Sequence, residues 1–343
     1  MAGWESELKQ REERQRAEVL ALPVVPLRRH GVATAADDGD VLLSASVGPA
    51  GEAVALWSAS ADREALTSVT AQPGWASFPD ARAARPAGAR ITVHSPGLVE
   101  AVRIAEMPLA HVTVQPLPSD CFLAVAARCR WRPEGPDRNA LVYGPDGAVV
   151  AEYTFGDGIE SVLTTPSGSA WVGYFDEGVF GNYGWGGPGP EPLGSCGLAR
   201  FGPDADVAWR FPPDAAASSI DDCYALNVTG ETAWACYYSD FPVVKVEDGE
   251  VTTWRNDLAH GARSIIVDDY RVGLAGGNRP VRDRLVVGEL SDGDARAAGR
   301  YRLVLPDGQP LPDGVRMVGR GTDLHVFRGT DWYRLCLTDI PPR

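Results

Sequence analysis

The windows "GIESVLTTPSGSAWVGYFDE", starting at Gly158, and "DDCYALNVTGETAWACYYSD", starting at Asp221, align without a gap at an offset of 63. Trp171 falls on Trp234, Tyr174 on Tyr237 and Phe175 on Tyr238. A second pair follows: "ARFGPDADVAW" ends at Trp209 and "VKVEDGEVTTW" at Trp254, an offset of 45. "VYGPDGAVVAEY", from Val142 to Tyr153, repeats the same strand–turn–strand pattern. An internal repeat constrains a fold more than local propensity does, because each unit must bury its apolar face against its own copies.

Each unit reads as four short strands. Pro-Asp-Gly and Asp-Gly turns supply the backbone angles that hairpins need, and Trp, Tyr and Val in alternation mark strands with one buried face. Helical periodicity is confined to the N-terminal stretch, where Trp4–Ala21 has helix-forming composition and a thin apolar stripe. Gly 38 and Pro 27, spread along 343 residues, fit many strands joined by many turns. Four-stranded units of roughly 40–58 residues are the signature of an all-β propeller. The pairs "GSAWVGYFD" and "ETAWACYYS" resemble strand pairs of virginiamycin B lyase-like and sensor-type propellers, and the stretch around them is similar to uncharacterised proteins of GC-rich bacteria.

Breaks near Ala50, Gly97, Gly135, Gly186, Asp240, Arg279 and Gly329 read as turns between second and third strands and predict seven blades. The second, roughly Trp75–Met107, is poorly formed, so six blades are the alternative. The C-terminal piece, Val315–Leu337, supplies only three strands; "LPVVPLR", Leu22–Arg28, is expected to supply the fourth and close the ring. The division expected is therefore an N-terminal helix or tail over 1–21 and one propeller over 22–343.

The net charge of -14, with lysine only at positions 9 and 245, argues against nucleic acid or an anionic membrane as partner and leaves a small molecule or a protein. No membrane-length apolar run occurs and the N-terminus lacks a signal-peptide core, so a cytoplasmic location is expected. The six cysteines form no CxxC and read as reduced, buried thiols.

In propellers the longer loops collect on one face. Here these are "GDGIE", the extension after Asp176, and the stretches at 128–138, 214–222, 256–263 and 276–284. Inner-strand starts line the channel, which brings Asp157, Glu160, Asp221, Asp222 and Arg263 toward the axis. Carboxylates with an amide oxygen suit a hard cation; gluconolactonase- and regucalcin-like propellers hold a divalent metal with such side chains. This chain has those residue types but no residue-by-residue match to that family. From their placement at inner-strand starts, Ca²⁺ or Mg²⁺ is expected on Asp157, Glu160, Asp221 and Asp222, and a hydrolase, lactonase or lyase would use Asp157, Glu160 and His260, which precedes an inner strand on the same face, as catalytic groups. The other reading is a binding scaffold whose loop-rich face around 156–187 takes a ligand or protein through Arg128, Asp176, Glu177, Asn182, Tyr183, Trp185 and Arg263. The sequence has no HExxH, GxSxG or GxGxxG to name a reaction.

Overall fold

The computed structural model describes residues 2–71, 77–215, 218–278 and 280–341. These form a β-propeller of six blades, each a four-stranded antiparallel sheet, preceded by a helix over Ala2–Leu20. The inner strands are Asp40–Val47, Val112–Leu117, Ile159–Thr164, Asp222–Thr229, Ser264–Asp268 and Arg316–Arg320. Each packs against the next, and the sixth packs against the first, so the ring is closed.

The smaller blade count is the one observed, and the reason lies in blade one. Its strands are Asp40–Val47, Ala53–Ala59, Arg82–His94 and Leu98–Leu109. An insertion between the second and third strands carries a short helix, Arg63–Leu66, and a two-stranded ribbon, Val69–Thr70 with Phe78–Pro79. That insertion separates the two hairpins of one blade so widely that each reads as a blade of its own. The breaks near Ala50 and Gly97 are the two hairpin turns of this blade, both on the face opposite the long loops. Trp75 and Arg279 lie outside the described residues.

Closure joins the two ends of the chain, with a shift of register. Arg28–Val32, rather than Leu22–Arg28, forms the outer strand of blade six against Asp331–Cys336. Val24–Pro26 instead runs parallel to the outer strand of blade five, Asp294–Val304. The chain up to Val32 thus clasps two blades. The helix docks on blade five: Val19 is buried, and Arg16 pairs with the fully buried Asp283 and donates to the Pro280 carbonyl.

The sequence repeat is also a repeat of contacts. Tyr174 Oη donates to the Phe155 carbonyl at 2.6 Å, and its copy Tyr237 donates to Ser218 at 3.2 Å; donors and acceptors are both 63 apart. Trp171 meets Trp209 with ring centroids 5.3 Å apart, and their copies Trp234 and Trp254 stand at 5.6 Å. Polar side chains then stitch neighbouring inner strands. Gln115 of blade two donates to Ser46 and Val47 of blade one and accepts from Thr164 of blade three. Asn227 of blade four donates to Ile265 and Gly321. Buried Arg320 of blade six donates to the carbonyls of Gly48, Val228 and Thr164, three different blades. With no carboxylate in those contacts, burial brings its pKa down to about 10.

Candidate functional site at the channel mouth

The long connections, including 127–139, 175–197, 255–263 and the described parts of 60–81 and 276–283, lie on one face, as the alternation of propeller loops requires. The opposite turns between first and second strands are short. Two groups of the expected residues form on the long-loop face, and they are separate.

The first group is a buried clamp. Arg128 is 2% exposed. Its Nε and Nη2 each donate to Asp157 at 2.9 Å, and its Nη1 reaches Glu177. The Cys129 N–H also donates to Asp157, at 2.7 Å. Burial pushes the Asp157 carboxyl above its ordinary value, while Arg128 pulls the other way. Tyr183, whose backbone is left-handed at φ 50°, sits between two guanidinium groups, 4.3 Å from Arg128 and 4.7 Å from Arg130. Trp185 is buried and donates its indole N–H to the Cys129 carbonyl at 2.9 Å. Glu177 and Trp185 therefore hold the 175–197 loop onto the 127–139 loop, and Asp157 ties the turn before Ile159 to the same arginine. The expectation that Asp157 faces the axis is corrected: both its oxygens are engaged by Arg128. Trp185, expected as a ligand surface, is a pin. Tyr183 and Asn182 keep an open side, lining a rim cavity of about 480 Å³ with Arg130, Trp131 and Phe78.

The second group stands at the channel mouth. A cavity of about 440 Å³ is lined by Glu160, Tyr224, Arg263, Asn278, Arg282 and Arg316, among others. Glu160 is the extra residue of a β-bulge between Ile159 and Ser161, and a second bulge lies between Asp222 and Ala225. Bulges at the ends of inner strands re-aim side chains; here Glu160 lines the cavity and Asp222, on the neighbouring blade, lies near enough to feel its charge. Arg263 lies 3.8 Å from Glu160 and 4.7 Å over the Tyr224 ring. Asp222 Oδ1 is buried without a partner among the described residues. Burial, and then the negative charges of Glu160 and Asp176, push the Asp222 carboxyl up to about 7, against the pull of Arg263. Arg316 begins the inner strand of blade six, where its side chain is open to the solvent of the channel yet ringed by protein. That surrounding protein lowers its pKa, and Glu160 counteracts this.

Asp157, Glu160, Asp221 and Asp222 do not assemble into a metal centre. Among the described residues no three His, Cys, Asp or Glu side chains form a metal-holding group. Asp157 belongs to the clamp, and Asp221 accepts from Ser219 at 2.9 Å. Ca²⁺ or Mg²⁺ on this set does not fit. His260 also leaves the group: it stacks on Phe241 at 5.1 Å and lines a cavity beneath the N-terminal helix, beside Arg11 and Gln15. Asp176 opens the short helix Asp176–Phe180 and reaches the mouth through its charge on Asp222. Arg316 and Tyr224 were missed by the sequence reading. The inner-strand rule that selects Glu160 and Asp222 selects Arg316 as well, once blade six is placed in register. All six cysteines are free thiols, and no described helix is long and apolar enough to cross a membrane.

Residues 210–270 match the model of the YxzG family, a span that contains the whole of blade four. A search of curated proteins returns no match. Among solved structures, AztD of Citrobacter koseri aligns at 12% identity over 89% of this chain and 85% of that one, with a TM-score of 0.41. A luciferin-regenerating enzyme aligns at 11% identity over 90% and 93%, with a TM-score of 0.41. A gluconolactonase-like protein aligns at 14% identity over 93% and 95%, with a TM-score of 0.38.

Proposed function

We propose that the propeller binds a small anionic molecule at the channel mouth of its long-loop face. Arg316 carries this reading. It is a cation ringed by the blades, its side chain makes no ion pair or hydrogen bond among the described residues, and it lines a cavity large enough for a metabolite. Arg263 adds a second positive group, and a carboxylate or phosphate would engage both. The partner is then a small molecule, and the rigid ring supplies preorganisation rather than motion.

A second reading, an enzyme of hydrolase or lyase type, draws on Asp222. A carboxyl that exchanges its proton near pH 7, beside Glu160, suits general acid–base work on a ligand held by the arginines. The two readings draw on the same channel mouth, where Glu160 and Arg263 line the cavity and act on Asp222, and differ in whether the ligand is turned over.

Calorimetric titration with a panel of small carboxylates and phosphates, at pH 6 and pH 8, tests both. Binding by at least one member, lost in Arg316→Met and shifted in its pH dependence by Asp222→Asn, is the expected result. A wild-type protein and an Arg316→Met variant that bind the whole panel identically would defeat the proposal. Product formation that vanishes in Asp222→Asn while binding persists would select the enzyme.

A further inference from the structure

Another cavity lies on the other face. It measures about 510 Å³ and is bordered by the short turns of blades one, four, five and six: Ala50, Thr229, Asp268, Asp269 and Thr322. Arg320 lines it, at the opposite end of the inner strand from Arg316.

Two unpartnered polar groups belong to this cavity. His325 is 1% exposed and lines it. Its Nδ1 accepts the Trp332 indole N–H at 3.0 Å, which fixes the neutral tautomer with the proton on Nε2. That Nε2 is buried and has no partner among the described residues. Asp323, two residues away on the same side of the strand, gives Oδ2 to Arg334 at 2.6 Å and leaves Oδ1 buried and unpartnered. A donor and an acceptor left unmade on two residues that line one cavity cost free energy, which a hydroxyl reaching both would return by accepting from the one and donating to the other. The charges choose among hydroxylated ligands. Glu247 is neutralised by Lys245 at 2.7 Å. Asp268 and Asp269 also border the cavity and have no ion pair among the described residues. Arg320 adds one positive charge whose contacts are carbonyls, and Asp268 and Asp269 outnumber it, so a protonated amine is favoured beside the two carboxylates.

We infer that the short-turn face carries a second small-molecule site, which takes a hydroxylated amine of amino-sugar type, its hydroxyl between His325 and Asp323 and its ammonium beside Asp268 and Asp269. The site is independent of the channel mouth and of the reading given to it.

D-glucosamine and D-glucose are the probes, titrated into the full chain at low salt and followed by saturation-transfer NMR and calorimetry. Glucosamine is expected to bind saturably, and glucose more weakly. The double variant Asp268→Asn/Asp269→Asn should weaken glucosamine roughly fivefold, the worth of about 1 kcal/mol of charge attraction. Ala50 is exposed on a turn. Ala50→Trp should therefore block the cavity while leaving the melting temperature unchanged, which separates a lost site from a lost fold. Failure of glucosamine to bind, equal binding to Ala50→Trp, or glucose binding as tightly as glucosamine would overturn the assignment.

Discussion

Acid should loosen this ring at the seam where its ends meet. His325 lies in blade six with its Nδ1 committed to the Trp332 indole, and burial pushes its pKa down to about 3. Between the unfolded value near 6.5 and that folded value, the unfolded chain holds a proton that the folded chain refuses. Stability present above pH 6.5 is therefore lost as the pH falls. At about 1.36 kcal/mol per pH unit, one such group removes roughly 2 kcal/mol by pH 5 and about 5 kcal/mol by pH 3, out of the roughly 5–15 kcal/mol typical of a folded domain. Burial lowers His94 and His30 as well, so both act in the same direction. Denaturant midpoints at pH 7.5 and pH 5.0, for wild type and for His325→Asn, provide the assay. Asparagine keeps an acceptor for the indole and does not titrate, and carboxylate contributions cancel in the difference. The variant should lose about 2 kcal/mol less than wild type between the two pH values. Equal losses would show that His325 does not carry the acid sensitivity, and the argument from its burial would be wrong.

Other perturbations follow from the same contacts. Arg128→Met leaves Asp157 buried without its guanidinium and should lower stability by about 3–5 kcal/mol, measured by chemical denaturation, with faster proteolysis within 175–197. Deleting residues before Gly31 removes strand pairing to both blade five and blade six and should lower the melting point far more than deleting 1–21 alone; equal effects would contradict the clasp. Gly319→Ala would drive a Cβ into the Ile265 carbonyl of the neighbouring inner strand. A loss of at least about 2 kcal/mol is expected on denaturation, and an unchanged midpoint would mean the inner strands can separate there.

The repeat was legible because its chemistry is local. A strand that buries Trp and Tyr on one face, followed by an Asp-Gly turn, has the same requirements in every copy, so Trp171 and Trp234 align in the sequence and in space. Closure by the N-terminus was legible too, since three C-terminal strands imply a missing fourth. What misled was distance along the chain. The insertion within blade one made one sheet look like two, and a span of a few residues was assigned to blade six when it belongs to blade five. Pairing register depends on partners far away along the chain, as Arg28–Val32 on Asp331–Cys336 illustrates.

The sequence alone determined which residues carry charge and which end of each inner strand they occupy; Glu160, Asp222 and Arg263 follow from that. It could not say which charges find each other. The carboxylates Asp157 and Glu160, close neighbours in the chain, part company because a bulge turns Glu160 into the mouth while Arg128, from the preceding blade's loop, captures Asp157 in the clamp. Arg316 and Asp222 come to the mouth only because the ring closes, and the unpartnered Nε2 of His325 has meaning only once Trp332 holds Nδ1 and a cavity is beside it. Charge and periodicity are properties of the chain, whereas pairing, burial and enclosure are properties of the fold. The site is made of the second kind.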